Sequence, residues 1–209
     1  MIQLASGRSL IVSLRMTGRL IVQSRDEPRY PYTNVILDFT DGARLAFADV
    51  RRFGRMRLAQ KDEAWDAALG VEPLSSAFSP AAFAMLARGR PTPIKVFLLD
   101  QRRIAGVGNI YAAEALWEAG IKPTTPAGKL SKERIARLHA ALQKVLRKAI
   151  EMRGTSARDY VDAEGMEGGF QNELRVYGRS DEPCPRCGKP LVRTVLAQRG
   201  TWWCRNCQR

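Results

Sequence analysis

Cys184-Pro-Arg-Cys187 and Cys204-Arg-Asn-Cys207 stand near the end of the chain, two Cys-x-x-Cys pairs separated by sixteen residues. Pairs at this spacing set four thiolates at the ends of a β-hairpin, in the tetrahedral arrangement that a zinc ion prefers. Two disulfides are the alternative that spacing leaves open. These four are the only cysteines, no signal-peptide pattern precedes them, and Met1-Ile2-Gln3 leads into a polar turn, which favours the metal. With every ligand supplied by protein, such an ion holds a fold together and keeps no position for a catalytic water. The expectation is one structural zinc on Cys184, Cys187, Cys204 and Cys207.

The rest of the 209 residues suffices for one large or two small domains with real cores, and 45% hydrophobic with 26% charged residues is a globular composition. No apolar run approaches the length that spans a bilayer. Lys and Arg outnumber Asp and Glu 34 to 21, a net charge of +13. A surplus of that size fits a polyanionic partner, most simply nucleic acid, whose phosphates it grips by displacing counterions. A surface charged for solubility would give the same count.

Periodicity changes along the chain. From Ser9 to Val22 the apolar residues Leu10, Val12, Leu14 and Met16 alternate, which predicts a strand with one buried face. Val35, Leu37 and Phe39 alternate before Asp41-Gly42, and Leu45 and Phe47 continue beyond it, predicting a hairpin. Residues 70–80 are a candidate linker that ends with Ser79 as N-cap and Pro80 in the first helical position. Helices are predicted over 94–100, 109–118 and 131–152. In the last, Ile135, Leu138, Leu142, Val145 and Ala149 form one face. Its opposite face carries Arg134, Arg137, Lys144, Arg147 and Lys148, either a solvated row or a DNA-facing one.

Gly106-Val107-Gly108-Asn109 precedes the second of these helices. Backbone N–H groups and the positive end of the helix dipole point outward there, beside glycines that permit close approach, so the turn can clamp a phosphate. A simple packing turn would read the same. His139 is the only histidine and falls within a helix, which leaves no serine or cysteine hydrolase to build.

Met16-Thr17-Gly18-Arg19-Leu20, Arg51-Arg52-Phe53-Gly54, residues 99–112, Arg175-Val176 through Gly178-Arg179 and the cysteine hairpin occur in the order seen in bacterial formamidopyrimidine-DNA glycosylases. The resemblance spans nearly the whole chain. It implies an α+β, multidomain fold: a partial N-terminal β-sandwich (1–72), a helix-two-turn-helix domain with a lesion-capping loop (77–168) and a zinc-finger β-hairpin (174–209). It also implies damaged double-stranded DNA as partner, bound in the cleft between domains, by a monomeric, cytoplasmic and nucleoid-associated bacterial protein without membrane contact. Such enzymes excise oxidised purines, 8-oxoguanine and formamidopyrimidine, and then cut the strand at the abasic site as lyases.

By the same resemblance, Met16 fills the space left by a flipped base, Arg51 hydrogen-bonds the orphaned cytosine and Phe53 wedges into the stack. Without that likeness, Met16 and Phe53 would be read as core residues and Arg51 as a surface charge. Gly108, Asn109, Arg90, Tyr32 and Lys95 fall at DNA-contacting positions, Tyr32 where histidine is frequent and Arg90 in place of a lysine. Arg199, in the turn of the zinc hairpin, matches an arginine that grips phosphates and donates a proton in the last elimination. Residues 162–170 align with the loop that closes over the flipped base, with Met166 where lysine is frequent and Gly169 where tyrosine is.

The family's N-terminal proline nucleophile, the glutamate after it and a strand lysine have no counterpart in these residues. The expectation is a sequence begun at an internal methionine, with a half-exposed sandwich core and no amine suited to attack a sugar, its remaining amines being solvated lysines and the Met1 terminus. A non-catalytic, zinc-dependent damaged-DNA binding protein is the alternative. A zinc-ribbon protein of transcription or translation would have no need of Met16, Arg51 and Phe53, and the same trio disfavours an endonuclease VIII.

Overall fold

The computed structural model describes residues 1–60, 63, 68–156 and 161–209. The chain divides into two compact units, one of residues 1–67 with 151–172, the other of 68–150 with 173–209. The first is built of two three-stranded antiparallel sheets. One orders β1 (Ile2–Gln3), β2 (Ser9–Ser13) and β6 (Arg55–Ala59) as β1-β2-β6, the other β3 (Gly18–Ser24), β4 (Thr33–Asp38) and β5 (Ala43–Asp49) as β3-β5-β4. Central strand β5 is buried from Leu45 to Asp49, on both faces, as a middle strand should be. The Asp41-Gly42 hairpin forms as expected: Val35 lies opposite Phe47 and Leu37 opposite Leu45. Gly42 has φ +89°, and Asp41 Oδ1 accepts the Ala43 N–H at 3.0 Å.

The run from Ser9 to Val22 is not one strand. It breaks into β2 and β3, which belong to different sheets. Arg15 takes a left-handed φ of +55°, and the Gly18 N–H donates to the Leu14 carbonyl at 2.9 Å. A Cβ on Gly18 would lie 2.3 Å from that oxygen, so only glycine closes the turn. Leu10 and Val12 keep their strand, while Leu14 and Met16 sit in the turn, and Met16 is 67% exposed.

In the second unit, α1 (Pro80–Ala87) starts as the sequence dictates, with Ser79 accepting the Ala82 N–H and Pro80 following. α2 (Ile94–Leu98), α3 (Asn109–Glu118) and α4 (Lys132–Glu151) follow. α4 turns Ile135, Leu138, Leu142 and Ala149 inward, with Val145 packed at the edge. The candidate linker is a packed segment: Val71 bridges to Ile104, and Phe78 is buried beside Phe83 with its ring against His139. His139 Nε2 contacts the Phe78 carbonyl at 2.5 Å, a structural bond. The zinc hairpin is β7 (Val192–Leu196) with β8 (Arg199–Trp203), joined by Ala197 and Gln198, both at positive φ, as a two-residue primed turn requires. Among the described residues no helix is long and apolar enough to cross a membrane.

Candidate metal centre and nucleic-acid interface

Cys184, Cys187, Cys204 and Cys207 bring their sulfurs within 4.8 Å of one another. The pairs at 3.5 and 4.0 Å are too far apart for disulfides. Tetrahedral sulfurs about 2.3 Å from a zinc ion would lie roughly 3.8 Å apart, so the donor set fits one structural zinc. Cys184 and Cys204 are buried against Ala113, Trp117, Val176 and Leu191, which anchors the knuckles to α3. Gln208 braces them, its Oε1 accepting the Cys204 N–H and its Nε2 donating to the Ile121 carbonyl.

Near the hairpin turn, one carbonyl collects two donors. Gly200 O accepts from Lys95 Nζ at 2.7 Å and from Asn109 Nδ2 at 3.1 Å. Lys95 also donates to Thr201 Oγ1 at 2.7 Å and is 0% exposed. Burial, with the neighbouring Arg199 charge, pulls its pKa down to about 8. This corrects the expectation of solvated lysines: Lys95 is desolvated, but its ammonium is committed to two acceptors. A Cβ on Gly200 would come within 2.7 Å of the Trp202 ring. Arg199, exposed, borders a cavity of roughly 360 Å³ together with Phe97, Asp100 and Arg103.

At the α3 N-terminus Gly108 is the N-cap with no side-chain cap bond, and Gly106 has φ +73°. Nothing lies within 4 Å of where a Cβ would sit on either glycine, so the backbone is approachable. Arg90 is exposed where α1 ends, its carbonyl accepting the Gly128 N–H. The basic row of α4 is largely engaged locally: Arg134 with the Arg209 carbonyl, Lys144 with Glu118 and Arg147 with Gln143.

Within the first unit, Met16, Arg51 and Phe53 meet. Arg51 Nη1 lies 3.8 Å from Met16 Sδ, and the guanidinium carbon sits 4.8 Å from the Phe53 ring centroid. Met16 and Phe53 are 67% and 58% exposed, so the core reading of these two fails. Large apolar side chains clustered in the open around an arginine offer something to insert. Tyr32 is exposed at φ +59°. Residues 162–170 begin as a tight turn in which Asp162 Oδ1 accepts the Glu164 and Met166 N–H groups, and the Ala163 carbonyl accepts the Val22 N–H of β3.

Two carboxylates that sequence reading passed over organise these regions. Glu114 on α3, 3% exposed, accepts the N–H groups of Arg175, Val176 and Tyr177 at 2.8–3.0 Å. Burial raises its pKa despite those bonds. Asp49 does the same for the Arg51–Gly54 loop. An acidic residue amid apolar helix positions was the only signal for Glu114.

Comparison with known proteins defines the class. A profile described as the formamidopyrimidine-DNA glycosylase N-terminal domain matches residues 1–56, its H2TH domain 69–161, and a zinc finger found in FPG and IleRS 181–209. A formamidopyrimidine-DNA glycosylase of Roseiflexus sp. (strain RS-1) is 47% identical over 208 residues, covering 99% of this chain and 76% of the relative. The crystal structure of the MutM (Fpg) protein of Thermus thermophilus superposes with a TM-score of 0.88 at 42% identity, covering 99% of this chain and 77% of that one. Lactococcus lactis Fpg in complex with abasic-site DNA gives 0.88 at 36% identity, over 97% and 75%. The chain belongs to the formamidopyrimidine-DNA glycosylase family, with that family's sheet domain, H2TH helices and zinc-finger hairpin.

Proposed function

We propose that the chain serves base-excision repair by recognising damaged DNA for the glycosylase and abasic-site lyase activity of its family on oxidised purines, with residues 1–72, 77–168 and 174–209 as its sandwich, helix-two-turn-helix and finger parts. The carrying observation is the exposed meeting of Met16, Arg51 and Phe53. A base inside a duplex is out of reach, so it is flipped out, and the hole must be filled. Met16 takes the vacated space, Phe53 wedges between neighbouring bases, and Arg51 turns its donors to the acceptors of the orphaned cytosine. Wedges of this kind offset a few kcal/mol of lost stacking.

The second unit supplies the phosphate grip. Arg199, the open backbone at Gly108 and Asn109, and Arg90 face phosphates, while Tyr32 contacts DNA from the first unit, which also carries the trio. Arg199 also gives a proton in the final elimination. Lys95 works through the Gly200 carbonyl and Thr201 hydroxyl, holding the turn that presents Arg199. The protein acts as a cytoplasmic, nucleoid-associated monomer, and residues 162–170 cap the flipped base.

The test is titration of duplexes holding 8-oxoguanine opposite cytosine, an abasic site opposite cytosine, or no lesion, at fixed salt. Tighter binding to both damaged duplexes than to the intact one is expected. Equal affinity for all three contradicts the proposal.

A further inference from the structure

Asp49 ends β5 with its carboxylate almost wholly buried, and every bond it makes reaches a segment next to the exposed trio. Oδ1 accepts the Thr17 hydroxyl at 2.5 Å and the Arg51 N–H at 3.2 Å, and Oδ2 accepts the Gly54 N–H at 2.7 Å. Its backbone extends the node. The Asp49 N–H donates to the Tyr32 carbonyl, while its own carbonyl accepts the Arg52 N–H and Asn34 Nδ2. Asn34 donates to the Tyr32 carbonyl as well. The Thr17 hydroxyl above all, then the Gly54 N–H, holds this carboxyl below the usual aspartate range.

Sequence features around the node follow from it. A Cβ on Gly54 would lie 3.1 Å from Asp49 Oδ2 and 2.5 Å from the Phe47 ring, so glycine is what lets the carboxylate reach the loop. Arg52 is held at φ +55°, which places Arg51 and Phe53 on either side of a sharp bend. One buried carboxylate therefore fixes the backbone beside Met16, through Thr17, and beside Arg51 and Phe53, through the loop.

We propose that Asp49 is the positioning residue of lesion recognition: it locks the Met16 turn and the Arg51–Gly54 loop to each other, so that three side chains enter the duplex as one preorganised unit. Asp49 itself does not touch DNA. Ordering the two segments is completed on folding, so lesion binding does not bear that cost. This rests on the hole-filling reading of the trio.

The experiment compares affinities of the full chain for abasic-site and intact duplexes, and the salt dependence of each, for Asp49→Asn, Thr17→Val, Thr17→Ser, Met16→Ala and Phe53→Ala. Asp49→Asn keeps the shape but turns an N–H₂ toward backbone donors, and should lower the abasic-to-intact preference about tenfold. Thr17→Val should lower it about threefold, and Thr17→Ser, which keeps the hydroxyl, should retain it. Salt dependence and zinc content should not move. In the Asp49→Asn background, Met16→Ala should add little. Equal weakening on both duplexes, or Thr17→Val matching wild type, overturns the positioning role. Unchanged preference in Met16→Ala and Phe53→Ala instead overturns the reading of the trio, and the proposal with it.

Discussion

The two units are held together by different means. In the second, Phe78, Phe83, Ile94, Leu98, Leu116, Leu138 and Leu142 form a continuous buried cluster, and a smaller one wraps the cysteines around Trp117 and Val176. Both clusters lie in this unit. In the first, burial concentrates along β5 with Ile21 and Ala59, while Val22, Val35 and Leu58 lie exposed on their strands. Its functional loops are organised by a buried carboxylate and backbone hydrogen bonds. The unit proposed to grip phosphates therefore stands on apolar packing and a metal, and the side chains proposed to insert stand on a polar node. Groups that must enter a base stack have to stay exposed, so a core cannot fix them; hydrogen bonds to the backbone behind them can.

The largest difference should come from the metal. Structural zinc contributes on the order of 10 kcal/mol or more in isolated fingers. One zinc per chain is expected by elemental analysis, and chelation, or Cys204→Ser, should abolish duplex binding while leaving the β-rich first unit folded. A zinc-free protein that binds DNA normally would break the comparison.

Packing should separate the units next. Leu142→Ala removes a fully buried side chain of the larger cluster and should cost about 2–5 kcal/mol in denaturant unfolding. Val22→Ala, at an exposed site on β3, should stay within about 0.5 kcal/mol. Similar costs at the two sites would mean that the first unit buries more than its surface indicates.

A smaller effect follows from Lys95. Its pKa is near 8 in the folded chain and near 10.5 when solvated, so the unfolded chain binds the extra proton between those values. Stability of the second unit should rise with pH from about 8 to about 10.5 on this account. The profile of Lys95→Met should lack that rise, so subtracting it from the wild-type profile should leave the rise in the difference. A flat difference profile would place Lys95 in solvent.

What was legible in the sequence was what residue identity and short-range spacing carry. Two Cys-x-x-Cys pairs, Asp41-Gly42 between alternating runs, Ser79-Pro80 before a helix and the 3.6-residue stripe of α4 each signal structure within a few positions. What escaped depends on distant partners. Lys95 is buried by acceptors 105 and 106 residues away. Glu114 is satisfied by N–H groups more than 60 residues on. Asp49 looks like an ordinary strand-end acid until Thr17 and Gly54 are brought to it. The break at residues 14–17 was hidden because alternation continued through the turn, and a left-handed Arg15 has no sequence signature. At the candidate site, the family resemblance supplied the trio, whereas composition alone placed Met16 and Phe53 inside the core.

The central claim is that one region inserts and the other grips, and fluorescence of 2-aminopurine beside an abasic site tests it most directly. Unstacking by an inserted wedge should raise the emission on binding of the wild-type chain, at saturating protein and low salt. Met16→Ala and Phe53→Ala should bind yet lose most of that rise. Arg199→Ala should weaken binding to every duplex and lower the salt slope by about one, and still give the full rise once saturated. A rise that survives in both Met16→Ala and Phe53→Ala, or one that disappears in saturated Arg199→Ala, would contradict the division of labour.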